Sequence, residues 1–290
     1  MKRALKCGIS IVVFAASAIA LAIARLLRFK GKGSCVVLYY HSVPAEQRSE
    51  FARQLDVLLR HAKPITLANR IVLEAGIPYA AVTFDDAFEN FVDVALPELT
   101  KRKIPSTVFV ISDALGKQFG PAHNPEKVMS LRQVQALPED LVTIGSHTSS
   151  HPFLPSLGSS DARRELEGSR AKLEQILNRG VTLFSFPFGG FNDKLVEYCR
   201  EAGYQRVFTT LPEFSFEDPN QFVAGRVRVD PTDWPIEFRL KLAGAYRWLP
   251  AVFSLKQKLL RNPLIRRLYG SGNQPNSSSL PQSKIHELGV

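Results

Sequence analysis

Short apolar runs rich in β-branched and aromatic residues alternate along this chain with stretches whose apolar positions recur every three or four residues. The runs cover residues 36–40 (VVLYY), 80–84, 106–111, 141–145, 183–186, 205–209 and 223–229, and each reads as a strand. Between them, residues 51–59, 91–99, 131–137, 161–177 and 193–202 carry the stripe of a helix. In the first of these the apolar residues fall at 51, 55, 58 and 59. Asp161, after Gly158-Ser159-Ser160, is a good starting residue for its helix. Strand followed by helix, repeated along most of the chain, predicts an α/β fold with a parallel sheet or a (β/α) barrel.

The two ends differ from this body. Lys2, Arg3 and Lys6 precede an uncharged run from Cys7 to Ala24, and Arg25, Arg28, Lys30 and Lys32 follow it. That length suits a helix that just spans a bilayer. A cleaved signal segment, with Ala18-Ile19-Ala20 as its small-residue site, and a buried or interfacial helix are the alternatives. Gly31-Lys32-Gly33-Ser34 reads as a linker. From Tyr246 onward, Trp248, Leu249, Val252, Phe253 and later leucines are interleaved with Arg247, Lys256, Lys258, Arg261, Arg266 and Arg267. This basic amphipathic stretch suits an anionic membrane surface or packing on the body. The last twenty residues have the Gly, Asn, Ser, Pro and Gln composition of a disordered tail. Three segments follow: an anchor or signal at 1–33, a catalytic body at 34–245 and the basic stretch with its tail at 246–290.

The formal charge of +10 belongs to those ends. Residues 1–34 hold seven basic and no acidic side chains, and residues 246–290 hold seven against one. The body is mildly acidic, which argues against nucleic-acid binding. Cys7, Cys35 and Cys199 are isolated and form no zinc ribbon or disulfide framework.

Polar residues of chemical interest fall where strands end. Thr83-Phe84-Asp85-Asp86 sets two adjacent carboxylates just past a strand, and His147-Thr148-Ser149-Ser150-His151 sets two imidazoles four residues apart after another. Two His and one Asp fill three positions around a zinc-like ion and leave others open, and the second Asp is free to accept a proton. His41 ends the first strand and Pro187-Phe188 follows a later one, at the edge where barrel enzymes build their sites.

In that order TFDD, HTSSH and FPFGG resemble the first three motifs of the polysaccharide deacetylase (NodB-homology) domain, and Asp230-Pro-Thr-Asp233-Trp234 is similar to its fourth. The resemblance runs from about residue 35 to 240 and implies a distorted (β/α) barrel. It also implies Asp86, His147 and His151 as ligands of a divalent metal, expected to be zinc, with cobalt or nickel as alternatives. Asp85 would be the general base, the Phe188 N–H an oxyanion donor, and Pro187, Phe188 and Trp234 the substrate groove. The activity implied is removal of N-acetyl or related acyl groups from the aminosugars of a surface polysaccharide or lipid-linked glycan. The body would then lie at the membrane, on its periplasmic or extracellular side. Other readings are a deacylase acting on non-acetyl or O-acyl groups, and a carbohydrate-binding domain that has lost turnover.

Two departures from the family bear on mechanism. Members carry an Arg shortly before the motif-three proline to brace the base, and residues 181–186 contain none. Arg226 or Arg228 on the last strand is the candidate replacement, with Asp230 and Asp233 as further supporting residues. The family's late histidine, its general acid, is also missing, because no His follows His151 until His286. His41 is the candidate acid, since first and last strands of a barrel are near neighbours.

Overall fold

The computed structural model describes residues 2–26, 33–68 and 70–252. Most of the basic C-terminal stretch, the polar tail with His286, and residues 31 and 32 of the expected linker lie outside the described residues. The elements in chain order are α1 (Arg3–Leu26), β1 (Ser34–Tyr40), α2 (Arg48–His61), β2 (Lys63–Pro64), β3 (Pro78–Phe84) and α3 (Leu96–Arg102). There follow β4 (Ser106–Val110), β5 (Gln118–Phe119), β6 (Glu126–Lys127), α4 (Leu131–Gln135), β7 (Val142–Ser146) and α5 (Ser159–Leu177). The chain continues through β8 (Leu183–Ser185), α6 (Asp193–Glu201), β9 (Arg206–Phe208), β10 (Val223–Ala224), β11 (Val227–Arg228) and α7 (Pro235–Leu242).

The main sheet runs β10-β9-β8-β7-β4-β3-β1-β11, with β2 also on β3, and every pairing in it is parallel. Its two outermost strands, β10 and β11, are separated in sequence only by Gly225 and Arg226. Val223 pairs with Val207 at one edge while Val227 pairs with Leu38 at the other. Such a sheet cannot lie flat; it curls into a half-barrel whose edges this short segment draws together. The single strand expected at 223–229 is therefore two, because the chain leaves one edge and joins the other within it.

Both faces of the sheet are buried, as parallel sheets demand. Along β1, Val36, Leu38 and Tyr40 join the outer core with Phe51, Leu55 and Leu58 of α2. Cys35 and Val37, on the alternate face, join a second core with Phe109, Leu183, Phe208 and Phe216. Tyr39 continues that second face toward the C-terminal edge of the strands. Burial of each large side chain contributes about 1.5–3 kcal/mol. The thiols of Cys7, Cys35 and Cys199 are free and buried.

Three elements depart from the periodicity. The helix expected at 91–99 opens as a π-turn over Phe91–Ala95 before α3, where Pro97 removes a backbone donor from the first turn. The short antiparallel hairpin β5–β6 was hidden because its strands are two residues long and carry one apolar side chain, Phe119. Helix α7 gave no apolar stripe because its packed side buries Glu237 and Lys241 among Phe238, Leu240 and Leu242. Those charges are paired, Lys241 Nζ lying 3.3 Å from Glu237 and 2.7 Å from Asp233. Helix α1 is long and apolar enough to cross a membrane, and it packs on α7.

Candidate active site

The two adjacent carboxylates part company as soon as β3 ends. The Asp85 N–H continues the sheet by donating to the Tyr40 carbonyl at 2.9 Å. Asp86 and Ala87 then take left-handed backbone, φ 67° and 58°, which turns the Asp86 side chain away from its neighbour. Thr148, His151 and Phe188 are left-handed as well, so five of the eight described non-glycine residues with positive φ sit in the strand-end loops of this site. Each costs about 1–3 kcal/mol, a strain that persists only where the surroundings over-determine it. Gly189 shows that constraint from the other side. A Cβ on it would meet the Thr210 Oγ1 at 2.0 Å, with φ at 66°.

Asp85 meets its counter-charge at Arg226, the first of the two arginines singled out from the sequence. Arg226 is fully buried. It donates through Nη1 and Nη2 to the two Asp85 oxygens at 2.7 Å each. Its other bonds go to Ser185 Oγ at 2.7 Å, Thr83 Oγ1 at 3.2 Å and the Thr209 carbonyl at 3.2 Å. All five guanidinium donors are thereby satisfied. The cation also stacks on Tyr39 and Phe109, 4.6 Å and 5.3 Å from the ring centres. Burial alone would raise the Asp85 carboxyl, but Arg226 reverses that and holds it well below the usual carboxylate range. Arg228 does not share the task, for its side chain is exposed. The single strand expected over 223–229, which left either arginine as the candidate, is interrupted at Gly225 and Arg226, in the gap between β10 and β11.

His147 follows β7, its N–H bonded to the Val110 carbonyl. Its Nδ1 lies 2.8 Å from the Ser185 carbonyl. A carbonyl only accepts, so Nδ1 carries the proton and Nε2 presents a lone pair. That Nε2 is 3.6 Å from Asp86 Oδ1, and the Nε2 of His151 is 3.5 Å from the same oxygen. Burial, then the neighbouring His147, lowers the His151 pKa to about 2, and burial lowers His147 as well. Both imidazoles are neutral.

The loop that carries them is clamped by a residue that sequence reasoning missed. Glu165 on α5 accepts from the N–H groups of Ser149 and Ser150 at 2.9 Å each and from Ser150 Oγ at 2.6 Å. Thr148 Oγ1 accepts from the His151 N–H at 2.9 Å. The His151 ring lies edge-on between Phe188 and Phe119, with centroids 4.7 Å and 5.2 Å away. Ser185, also missed, joins the two halves of the site by accepting from His147 through its carbonyl and from Arg226 through its hydroxyl.

Asp86 Oδ1 is buried and has no hydrogen-bond partner. Burial, reinforced by the Asp85 charge, raises its carboxyl well above the usual range. One orphaned carboxylate oxygen and two imidazole lone pairs thus converge, with ligand atoms all within 4.8 Å of one another. Nitrogen and oxygen donors of this kind suit a divalent cation, and the group fits one.

His41, just past β1, is half-buried, its ring 5.6 Å from that of Tyr39. Burial brings its pKa down to about 4 against the opposing pull of Asp85, with Arg228 and His147 lowering it further. Pro187 is buried in the turn that presents Phe188. The Asp230–Trp234 segment has partners of its own. Asp233 accepts from Lys241 at 2.7 Å and from the Asp230 N–H at 3.1 Å, the Asp230 carbonyl accepts from Gln54, and Arg3 lies 4.6 Å over the Trp234 ring.

Residues 74–207 match the family model described as polysaccharide deacetylase. The chain is 28% identical over 150 residues to the putative polysaccharide deacetylase YxkH of Bacillus subtilis, covering 52% of this chain and 51% of that one. It is also 28% identical over 195 residues to the poly-beta-1,6-N-acetyl-D-glucosamine N-deacetylase of Staphylococcus epidermidis, covering 62% of this chain and 66% of the relative. The chain thus spans about half the length of the first of these curated relatives and about two thirds of the second. Among solved structures, IcaB from Ammonifex degensii superposes with a TM-score of 0.61 at 28% identity, over 75% of this chain and 98% of that one. Motifs, curled sheet and relatives agree that residues 74–207 form a domain similar to the polysaccharide deacetylases of the NodB-homology type, whose named relatives are N-deacetylases, hydrolases acting on carbon–nitrogen bonds.

Proposed function

We propose that this protein is a metal-dependent deacetylase that removes N-acetyl, or closely related acyl, groups from the aminosugars of a surface polysaccharide or lipid-linked glycan. The observation that carries the reading is the orphaned Asp86 oxygen facing two neutral imidazoles, with an ionised Asp85 beside it. The poly-N-acetylglucosamine deacetylases among the relatives support the substrate class.

Asp86, His147 and His151 would hold the cation, with zinc expected and cobalt or nickel as alternatives. When bound, a divalent cation supplies Lewis-acid polarisation of the acyl carbonyl and makes water more acidic. Asp85, kept ionised by Arg226, takes the proton of the attacking water as its oxygen bonds to the acyl carbon. The Phe188 N–H steadies the developing oxyanion. As the carbon–nitrogen bond breaks, the amine leaves with a proton and the acyl group departs as a carboxylic acid. His41 is the candidate donor. Neutral in the free site, it first receives the proton collected by Asp85 and then passes it to the amine. Pro187 and Phe188 shape the groove, and Trp234 stays in the proposal as an apolar contact for the sugar, with Arg3 already over its ring. Arg226 braces the base; Asp230 and Asp233 support the loop that bears Trp234. The domain would act at the membrane, on its periplasmic or extracellular side, near the N-terminal apolar helix.

The missing late histidine favours one second reading, a carbohydrate-binding domain without turnover. The two separate when the zinc- or cobalt-loaded protein is assayed on N-acetylglucosamine oligomers beside Asp85→Asn. Acetate release that Asp85→Asn abolishes supports the deacetylase. Stoichiometric metal and oligomer binding without release, on varied acyl donors, replaces it with the binding role.

A further inference from the structure

Helix α1 has the composition of a membrane span, yet it is bonded to the body through its polar positions. Arg3 donates through Nε to Glu237 at 2.5 Å and through Nη2 to the Thr232 carbonyl at 2.8 Å. Ser10 accepts from the Trp248 indole N–H, and Ser17 from Arg247, both at 3.0 Å. Between these bonds Cys7 and Phe14 pack with Leu240, Tyr246 and Leu249. Positions 3, 7, 10, 14 and 17 make one stripe at helical spacing, and that stripe meets the body. The opposite stripe of Leu5, Val12 and Ile19 is 55%, 68% and 62% exposed.

Docking in this way excludes spanning. Over residues 3–20 a helix rises about 27 Å at about 1.5 Å per residue, close to the roughly 30 Å of a bilayer's hydrocarbon. The chain enters the body at Ser34, beyond the far end of α1. A spanning α1 would carry Arg3 to the membrane face opposite Glu237 and break every bond just described.

The surface next to α1 has its own chemistry. Helices α2 and α7 border an open groove of about 430 Å³ lined by Val57, Pro235 and Ile236 together with Arg60, His61 and Arg239. Two cations, Arg60 and Arg239, and no carboxylate line it; His61 is held neutral by burial and by both arginines and accepts from Arg239, and Ile236 is 48% exposed at the edge. Apolar contacts ringed by cations suit the headgroup region of an anionic bilayer.

We propose that this protein is monotopic. Helix α1 lies in the plane of an anionic phospholipid surface, with its Leu5–Val12–Ile19 stripe in the acyl boundary and its polar stripe on α7. The α2–α7 groove receives a lipid phosphate headgroup. The proposal is independent of the deacetylase reading, since none of these residues belongs to the metal site.

Flotation of the full-length protein with phosphatidylcholine vesicles, with and without phosphatidylglycerol, tests it. Binding should require the anionic lipid and be reversed by alkaline carbonate. Val12→Glu with Ile19→Glu should abolish it, and Arg60→Glu with Arg239→Glu should weaken it at least tenfold, while circular dichroism is unchanged. The Cys7 thiol, 6% exposed, should react slowly with maleimide on vesicles and faster in Glu237→Gln with Ser10→Leu. Carbonate-resistant insertion, rapid Cys7 labelling in the wild type, or a mature chain lacking residues 1–20 would overturn the proposal. Equal binding to phosphatidylcholine alone would remove the headgroup site. Dimers that Val12→Glu dissociates, without vesicle binding, would give the apolar stripe to a second copy instead.

Discussion

Arg226 donates to both carboxylate oxygens of Asp85 across 141 residues of sequence, with no exposed surface on the guanidinium. Removing one partner of such a pair leaves an uncompensated buried charge, at a cost of about 3–5 kcal/mol. Arg226→Met should therefore lower the thermal midpoint sharply and also reduce deacetylation, because Asp85 then takes up a proton. Asp85→Asn with Arg226→Met should recover much of the stability and none of the activity. A double-mutant cycle by denaturant unfolding and acetate release checks both; recovery of activity would contradict the role of Asp85 as base.

Asp86 behaves in the opposite sense. Its carboxyl is raised far above the ordinary 3.8 by burial and by Asp85. The folded protein then binds more protons than the unfolded chain, so stability of the metal-free protein falls as pH climbs from near 4 through that raised value. Asp86→Asn should stabilise the metal-free protein at neutral pH by about 1 kcal/mol or more, roughly 2–4 °C for a chain of this size, and should remove the stabilisation that added metal confers. Calorimetry with and without a chelator measures this. A lower midpoint for the metal-free variant would count against it.

Glu165 touches neither metal nor substrate in this scheme, yet it holds both amides of the loop between the two histidines. Outer-sphere residues of this kind typically cost 10–100-fold in metal affinity when lost. Glu165→Ala should weaken zinc binding by about that factor in a chelator competition, and Glu165→Gln, which keeps one acceptor, should lie between. Equal affinity in all three proteins would make Glu165 an ordinary surface acid.

His41→Ala should leave metal affinity within a few-fold and reduce turnover by about 10²–10⁴, the usual span for proton transfer. A neutral imidazole held at about 4 can relay a proton but cannot store one at neutral pH. The alkaline limb of the pH–rate profile should therefore not move with His41→Gln. Full turnover in His41→Ala would give the acid role to another group.

Much of this site is legible in the sequence because each motif follows a strand, and strands are marked by apolar runs. Asp85, Asp86, His147, His151 and Phe188 are found that way. Arg226 could be named only beside Arg228, since the choice between them depends on where one strand yields to another, which alternation does not encode. Glu165 was invisible, for a glutamate on the polar side of α5 looks like any solvated residue until the loop folds over it. Helix α7 was missed for a related reason: Glu237 and Lys241 are charges in sequence but neutralise each other, with Asp233 and Arg3, when buried.

The six residues from Val223 to Arg228 lace the late-made edge of the sheet to its first-made strand, pairing with β9 on one side and β1 on the other. Until they arrive, β1 has β3 on one side but no neighbour on the other, and Asp85 lacks its cation, although all three candidate metal ligands were synthesised long before. Order of assembly thus acts as a safeguard. A nascent or truncated chain ending before Arg226 can gather its histidines but has no paired base beside them, and refolding should recover bound metal earlier than it recovers hydrolysis.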